Sequence, residues 1–536
     1  MDNDNTKRTL IAIVLSTLVL LGWTYFFSPQ PKTAPEPTEQ AATMQDASAA
    51  SEMTTATNTE QAPAFIPVGG QDVVVETPLF KAVLNSAGGI LTDFELKDYK
   101  TSIAPGSPQV NLVSSAAMDK GLLGILWNGQ GSWRSGQWAA PEQTQVTIVD
   151  GEETSVSFSG VFGGLSIVRT LTFKADSYLI QENVALTNTS ATPVSGRLGF
   201  TLASQPLTHA DDRYNMTRIS WLDTEGTDDE NDREDLGIGV TRRDGVAWGA
   251  IQSNYFMMAV APEAGELAMH AKFAGDLFRI QMDKDNIDLA PGTQVTVGNN
   301  YYFGPLSDKF LVGAPNDLER IVTYGFFDIL SKPLLQLLNF FYGLVGNWGV
   351  AIILLTICIK IVFWPLSNKS YKSMNKMKKI QPLMAKVREQ HKDDRAKMNE
   401  EMMRLYKTYK VNPAGGCLPM MLQIPVFFGL YQALLGAIEL RHASFIPHVP
   451  FTDIVWLADL SAKDPFYVTP LIMGATMFLQ QKMTPSPGDP TQAKVMLFMP
   501  VIFTFLFLNF PSGLVVYWMV NNILSIAQQW MLTRDA

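Results

Sequence analysis

The sequence predicts a polytopic α-helical membrane protein of six spans that also carries a large β-sandwich outside the membrane. Three observations carry that prediction. Apolar runs recur at the N-terminus and through the C-terminal part of the chain, and residues 65–305 follow the period of β-strands. Charge is divided between segments: residues 28–325 hold 19 Lys+Arg against 37 Asp+Glu, while residues 367–412 hold 13 against 5. Such asymmetry is expected of segments that face opposite sides of a membrane, the basic one inside.

Chemistry of other kinds finds no foothold. The 536 residues contain two cysteines, Cys358 and Cys417, both in or beside apolar runs, so no disulfide framework is expected in the acidic region. There is no G-x-x-x-x-G-K-[ST] phosphate loop and no Cys/His metal spacing. No catalytic residue, cofactor or metal is therefore expected.

Taken in order, Thr9–Phe27 is an apolar run behind Lys7 and Arg8, with no small-x-small cleavage site after it. Residues 1–27 read as a retained signal anchor with a cytoplasmic N-terminus. Residues 28–63, rich in Pro, Ala, Thr, Glu and Gln, read as a flexible tether. Strands are expected at Val73–Val75, Gln145–Val149, Ser155–Phe158, Ile167–Phe173, Tyr178–Leu186 and Gln294–Val297, with Asp150-Gly151 as a hairpin turn. The acidic stretch Asp223–Asp235 reads as a solvated loop. A sugar-processing sandwich is conceivable, but His209 and His270, the two histidines there, are a weak basis for it.

The period then becomes helical. Leu318, Ile321, Val322, Phe326, Ile329 and Leu330 mark residues 317–346 as an amphipathic interfacial helix broken at Lys332-Pro333, with a connector helix packed on the soluble domain as the competing reading. Further spans are expected at 347–366, 417–438, 466–482, 495–510 and 513–532, the third of them short for a ~30 Å hydrocarbon core. Residues 367–412 form a helical hairpin with stripes Tyr371, Met374, Met377, Ile380, Met384, Val387 and Met398, Met402, Leu405, Tyr409. Its basic residues, among them Lys376, Lys378, Lys379, Arg388 and Arg404, suit anionic lipid or ribosomal RNA. Counting spans from a cytoplasmic start puts the sandwich outside, and the hairpin and C-terminus inside.

Lys360 is the one full charge in the run Trp348–Pro365. An ammonium in hydrocarbon costs about 2.5–3.5 kcal/mol on insertion scales, which makes it a functional candidate. It lies about 10 Å before Ser367, so snorkelling to the interface is the competing reading. Thr356, Gln423, Tyr431, Gln432, Gln480, Asn509, Asn521, Asn522 and Ser525 are polar groups of the spans that could together line a hydrophilic groove around it, although any one of them more often joins helices.

Asn412–Tyr431 (N-P-A-G-G-C-L-P-M-M-L-Q-I-P-V-F-F-G-L-Y), Met499–Thr504 and Phe510–Tyr517 closely resemble the YidC/Oxa/Alb family of membrane protein insertases. The anchor and β region resemble its Gram-negative form, which extends the likeness to nearly the whole chain. The resemblance implies a five-helix insertase core at 347–536, with a groove open to the cytoplasm and lipid, and a periplasmic β-supersandwich at 64–316. It assigns the groove cation to Lys360, a threonine one turn earlier to Thr356, and an aromatic site to Trp518 beside Tyr517. It implies nascent membrane-protein clients, the ribosome and Sec translocon components as partners, with no role for DNA. The inferred function is insertion and chaperoning at the bacterial inner membrane without nucleotide hydrolysis, alone or with Sec. A chaperone acting only beside a separate translocon, or a small-solute transporter, is the alternative. Two features depart from the family: Lys where Arg is usual, and a chain ending at Arg534-Asp535-Ala536 with no long basic tail.

Overall fold

The computed structural model describes residues 70–208, 215–243, 245–263, 267–392, 394–411, 418–449, 451–484 and 490–534. The expected anchor and tether (1–63), His209, the Asn412–Cys417 part of the family motif and Asp535-Ala536 lie outside the described residues.

The β region folds into three sheets of five, nine and six strands among the described residues. Alternation sets their faces. Along Glu153–Phe162, Val156 and Phe158 are buried while Ser155 and Ser157 point outward. Those two serines hydrogen-bond across the sheet to Thr172 (2.8 Å) and Thr170 (3.0 Å) of Leu165–Lys174. The nine-stranded sheet continues through Leu179–Asn188 to Gln294–Pro305, where Val184 faces Val297. Its core meets the five-stranded sheet through a buried ion pair. Arg169 binds the carboxylate of Glu182, both side chains are fully buried, and its Nη1 donates to the carbonyls of Gly88 (2.8 Å) and Gly89 (2.9 Å). Gly89 has φ +64°, and a Cβ there would meet the Phe158 ring at 2.8 Å, so the turn that receives Arg169 requires glycine.

Two expectations in this region are corrected. Asp150-Gly151 is a turn but not a hairpin: Gln145–Thr147 pairs in parallel with Asp72–Glu76, while Glu153–Phe162 belongs to the nine-stranded sheet. The turn therefore passes the chain between sheets. Asp223–Asp235 is ordered rather than a loop. Gly226–Glu230 pairs with Arg218–Asp223 at the edge of the nine-stranded sheet, and Asp232 caps a helix at Arg233–Ile238. Exposed acids on an edge strand oppose pairing with another chain, which gives the charge a structural reason.

The connection to the helices also differs from expectation. Pro315–Ile321 is a short 3-10 segment packed on the sandwich, with Leu318 and Ile321 buried. The chain then bends by 104° into the apolar helix that ends at Val345. Helix α1 (Asp328–Val345) therefore begins eleven residues after Asp317, and Pro333 lies within it rather than breaking it. Gly346 (φ 65°) ends α1, and the Asn347 side chain caps α2 (Trp348–Gln390) by accepting from Val350 N at 3.0 Å. Helix α2 runs unbroken through Pro365 and Pro382, so the expected span and the first arm of the hairpin are one 43-residue helix.

The second arm is α3 (Arg395–Thr408), and the arms pack through Ile380, Met384 and Met402 with Met377, Val387, Met398, Leu405 and Tyr406 around them. Tyr409, expected in that stripe, is exposed, and Tyr406 takes its place. Helices α4 (Leu418–Gly436), α5 (Val468–Met483), α6 (Pro490–Phe507) and α7 (Ser512–Arg534) follow. Helix α7 lies against both α2 and α5, α1 lies on α4, and α6 lies on α5. At Gly474 a Cβ would stand 1.9 Å from Thr504 Oγ1, so glycine lets α5 and α6 approach closely. By length and composition, α2 is the one helix among the described residues fit to cross a membrane. The bent segment through Val345 qualifies only as a pair, and Met421–Gly436 and Met496–Phe507 are shorter apolar helices.

Candidate functional site

Polar side chains of α2, α4 and α7 meet in one seam. Lys360 on α2 is half-buried, and its Nζ donates to Ser525 Oγ on α7 at 2.7 Å. Ser525 Oγ in turn donates to the Asn521 carbonyl at 2.7 Å, and Gln423 Nε2 on α4 donates to Asn521 Oδ1 at 3.0 Å. Among the described residues, no carboxylate makes an ion pair with Lys360. The chain thus places a cation between helices and gives it a neutral oxygen.

The polar stripe of α7 comes from helical spacing. Asn521, Ser525 and Gln528 recur at i, i+4 and i+7, which puts them on one side of the helix. Gln528 Nε2 bonds Asn368 Oδ1 at 2.9 Å, and Tyr371 OH donates to the Ser525 carbonyl at 3.5 Å, both from the continuation of α2. On the neighbouring side Asn522 reaches Thr476 Oγ1 on α5 at 3.5 Å.

Of the expected groove residues, Lys360, Gln423 and Asn521 are brought together. Thr356 is buried between helices, with its hydroxyl donating to its own helix at Ile352 O, 2.7 Å away. Tyr517 is 2% exposed. Trp518 packs edge-on against Phe427 at 4.5 Å and beside Phe507 at 5.1 Å, in an aromatic wall next to the polar seam. Gln432 lies nine residues beyond Gln423 on α4, about 14 Å along the axis. It is set near the Gly325 turn rather than Lys360. Ser525, also among the polar span residues expected to line a groove, joins Lys360, Gln423 and Asn521, while Gln528 and Tyr371 are the members that sequence reasoning did not select. The i, i+7 spacing from Asn521 on α7 was the available signal for Gln528.

At the other end of the bundle, Asp464 is 1% exposed and accepts four hydrogen bonds. They come from Trp456 Nε1 (3.0 Å), Phe466 N (3.0 Å), Thr469 N (2.7 Å) and Thr469 Oγ1 (2.8 Å), which fixes the start of α5. Nearby the sandwich meets the bundle. Ser307 Oγ donates to Glu439 Oε1 at 3.3 Å, and the Arg441 guanidinium lies 5.1 Å from the Phe256 ring centroid. Burial raises the carboxyls of Glu439 and Asp308 above the usual carboxylate range, and the charge of Asp308 raises Glu439 further. In the hairpin, Lys376, Lys378, Lys379 and Arg404 are exposed, and Arg388 is half-buried. Ile361, Val362, Phe498, Ile502 and Phe505 turn more than half of their surface outward from the bundle.

A β-rich domain joined to a helical bundle with apolar outer faces and a cation in its polar seam defines a membrane protein with a large extramembrane domain. The profile described as "60Kd inner membrane protein" matches residues 340–536, and that described as "YidC periplasmic domain" matches residues 72–337. The chain is 55% identical over 534 residues to a membrane protein insertase YidC of Nitratidesulfovibrio vulgaris (strain Hildenborough), covering 99% of each. It is 51% identical to that of Maridesulfovibrio salexigens (100% of this chain, 99% of the relative) and 40% identical to that of Geobacter sulfurreducens (99% and 98%). The chain belongs to the YidC family of membrane protein insertases. A solved YidC insertase structure is 18% identical with a TM-score of 0.36, covering 85% of this chain and 92% of that one. A putative aldose 1-epimerase of Escherichia coli K12 is 12% identical with a TM-score of 0.29, covering 44% of this chain and 100% of that one. The curated relatives are named as insertases, which agrees with the expectation of a protein that is not an enzyme.

Proposed function

We propose that this chain inserts nascent membrane proteins by receiving an acidic, short translocated segment in the seam around Lys360. The observation that carries the reading is that Lys360 is half-buried and bonded to a neutral hydroxyl, so its charge stays uncompensated and available. An incoming carboxylate gains that charge briefly, while the adjoining apolar helix moves into lipid. There Leu, Ile, Phe and Val each gain about 0.3–0.6 kcal/mol. Helix α5, with 16 residues, is about 24 Å long against a ~30 Å core, and a bilayer thinned at that point shortens the path. The membrane potential adds about 2.3 kcal/mol per negative charge moved outward per 100 mV.

In this reading the chain crosses the inner membrane six times, with both termini in the cytoplasm and the sandwich in the periplasm. Helices α2, α4, α5, α6 and α7 supply five of the spans and residues 1–27 the sixth. The basic hairpin meets anionic lipid, the ribosome or both at the cytoplasmic entrance, and insertion proceeds alone or with Sec translocon components. The test is reconstitution of the purified chain alone in liposomes, followed by presentation of a client with one acidic translocated tail. Protection of that tail from added protease is expected. A client that stays digestible unless a translocon is supplied would replace this reading with the chaperone one.

A further inference from the structure

We propose that Ser525 is a positioning residue that parks the Lys360 ammonium inside the seam and so sets where a client carboxylate is received. This rests on the reading of Lys360 as the groove cation. Ser525 has one hydroxyl proton, and it goes to the Asn521 carbonyl at 2.7 Å on its own helix. Toward Lys360 the oxygen can then act only as an acceptor, at 2.7 Å. The ammonium has three N–H donors and Ser525 occupies one, which leaves the others for water or a carboxylate. A neutral acceptor holds the cation in place without cancelling its charge, which an Asp at the same position would do.

Tyr371 completes the device. It lies eleven residues beyond Lys360 on α2, about 16 Å along the helix, yet its hydroxyl reaches the Ser525 carbonyl. Lys360 meets the Ser525 hydroxyl and Tyr371 its carbonyl, and the serine itself is 3% exposed. Without this acceptor a long, flexible lysine is free to extend its charge toward water.

Two readouts test the proposal on the full chain in nanodiscs. The first is the labelling rate of Lys360 by a water-soluble amine-reactive ester, followed by mass spectrometry. Ser525→Ala should raise it at least threefold, and Ser525→Thr, which keeps the hydroxyl, should leave it unchanged. Equal rates for wild type and Ser525→Ala would overturn the proposal. The second is the insertion ratio of an acidic-tailed client to a neutral-tailed one. Ser525→Ala should lower that ratio several-fold and Ser525→Asp should lower it more, whereas a merely structural role would slow both clients alike. If Lys360→Ala leaves the ratio unchanged while Ser525→Ala still raises labelling, the groove reading fails and the parking of Lys360 stands.

Discussion

Arg169 in the sandwich and Lys360 in the bundle are both cations drawn out of water, and they are handled in opposite ways. Arg169 is fully buried, with a carboxylate on Nε and two carbonyls on Nη1. Lys360 is half-buried with one hydroxyl. A buried pair held this way is a structural fixture, because removing either partner leaves a desolvated charge with nothing to balance it. A cation left with free donors beside a polar seam gives up stability and keeps the capacity to bind. The sandwich uses charge to hold sheets together, and the bundle holds charge in reserve.

The comparison breaks first at Arg169. Arg169→Met strands Glu182 and should destabilise the sandwich by about 3–5 kcal/mol in thermal or denaturant unfolding, while Arg169→Met with Glu182→Leu should recover much of that loss. A single substitution no worse than the double would show that the pair is not a fixture. Client insertion should hardly change in the double variant, since the seam around Lys360 uses none of these residues.

Asp464 sharpens the contrast from the side of the anion. It is buried like Glu182 but satisfied entirely by neutral donors. Asp464→Ala should cost about 1.5–3 kcal/mol, the range for hydrogen bonds to a charged group. Hydrogen exchange should show that loss as faster opening of the first turn of α5. Unchanged exchange at Thr469 would remove Asp464 from the structural class.

Lys360 comes next, with a smaller and more selective effect. Lys360→Ala should slow clients with acidic translocated tails by about five- to thirty-fold, corresponding to about 1–2 kcal/mol for a screened contact, and spare neutral-tailed ones. Lys360→Arg should retain activity and Lys360→Glu should be worst. Insertion rates across clients with zero to three acidic residues measure this. A loss equal for all clients would make Lys360 structural, and no loss for any would return it to snorkelling.

The smallest effect is expected at Glu439, where the sandwich meets the bundle. Burial raises its carboxyl pKa. The folded joint therefore binds the proton more readily than the unfolded chain does, so Glu439 weakens the joint at neutral pH. That penalty is relieved as pH falls through the raised folded value toward the unfolded one. Hydrogen-exchange protection around Ser307, corrected for the intrinsic pH dependence of amide exchange, should rise on mild acidification, and Glu439→Gln should flatten that dependence. Protection that falls in the wild type on mild acidification would reverse the assignment.

Whatever depends on residues close in sequence was legible without coordinates. The strand faces of Glu153–Phe162, the helices near 418–436 and 513–532, and the hairpin arms all follow from local periodicity, because burial of one face selects the period. Lys360 stood out because a charge in an apolar run is costly wherever the run is buried. Pairing across the chain was decided only by the tertiary structure. Nothing local distinguishes Asp150-Gly151 as a passage between sheets, since the partner of residues 145–147 is the distant Asp72–Glu76. Ser525 shows the same limit at the site: a helical serine back-bonded to its own turn reads as plain packing. Lys360 meets it across 165 residues of chain, and only the association of α2 with α7 makes its oxygen the acceptor for the ammonium.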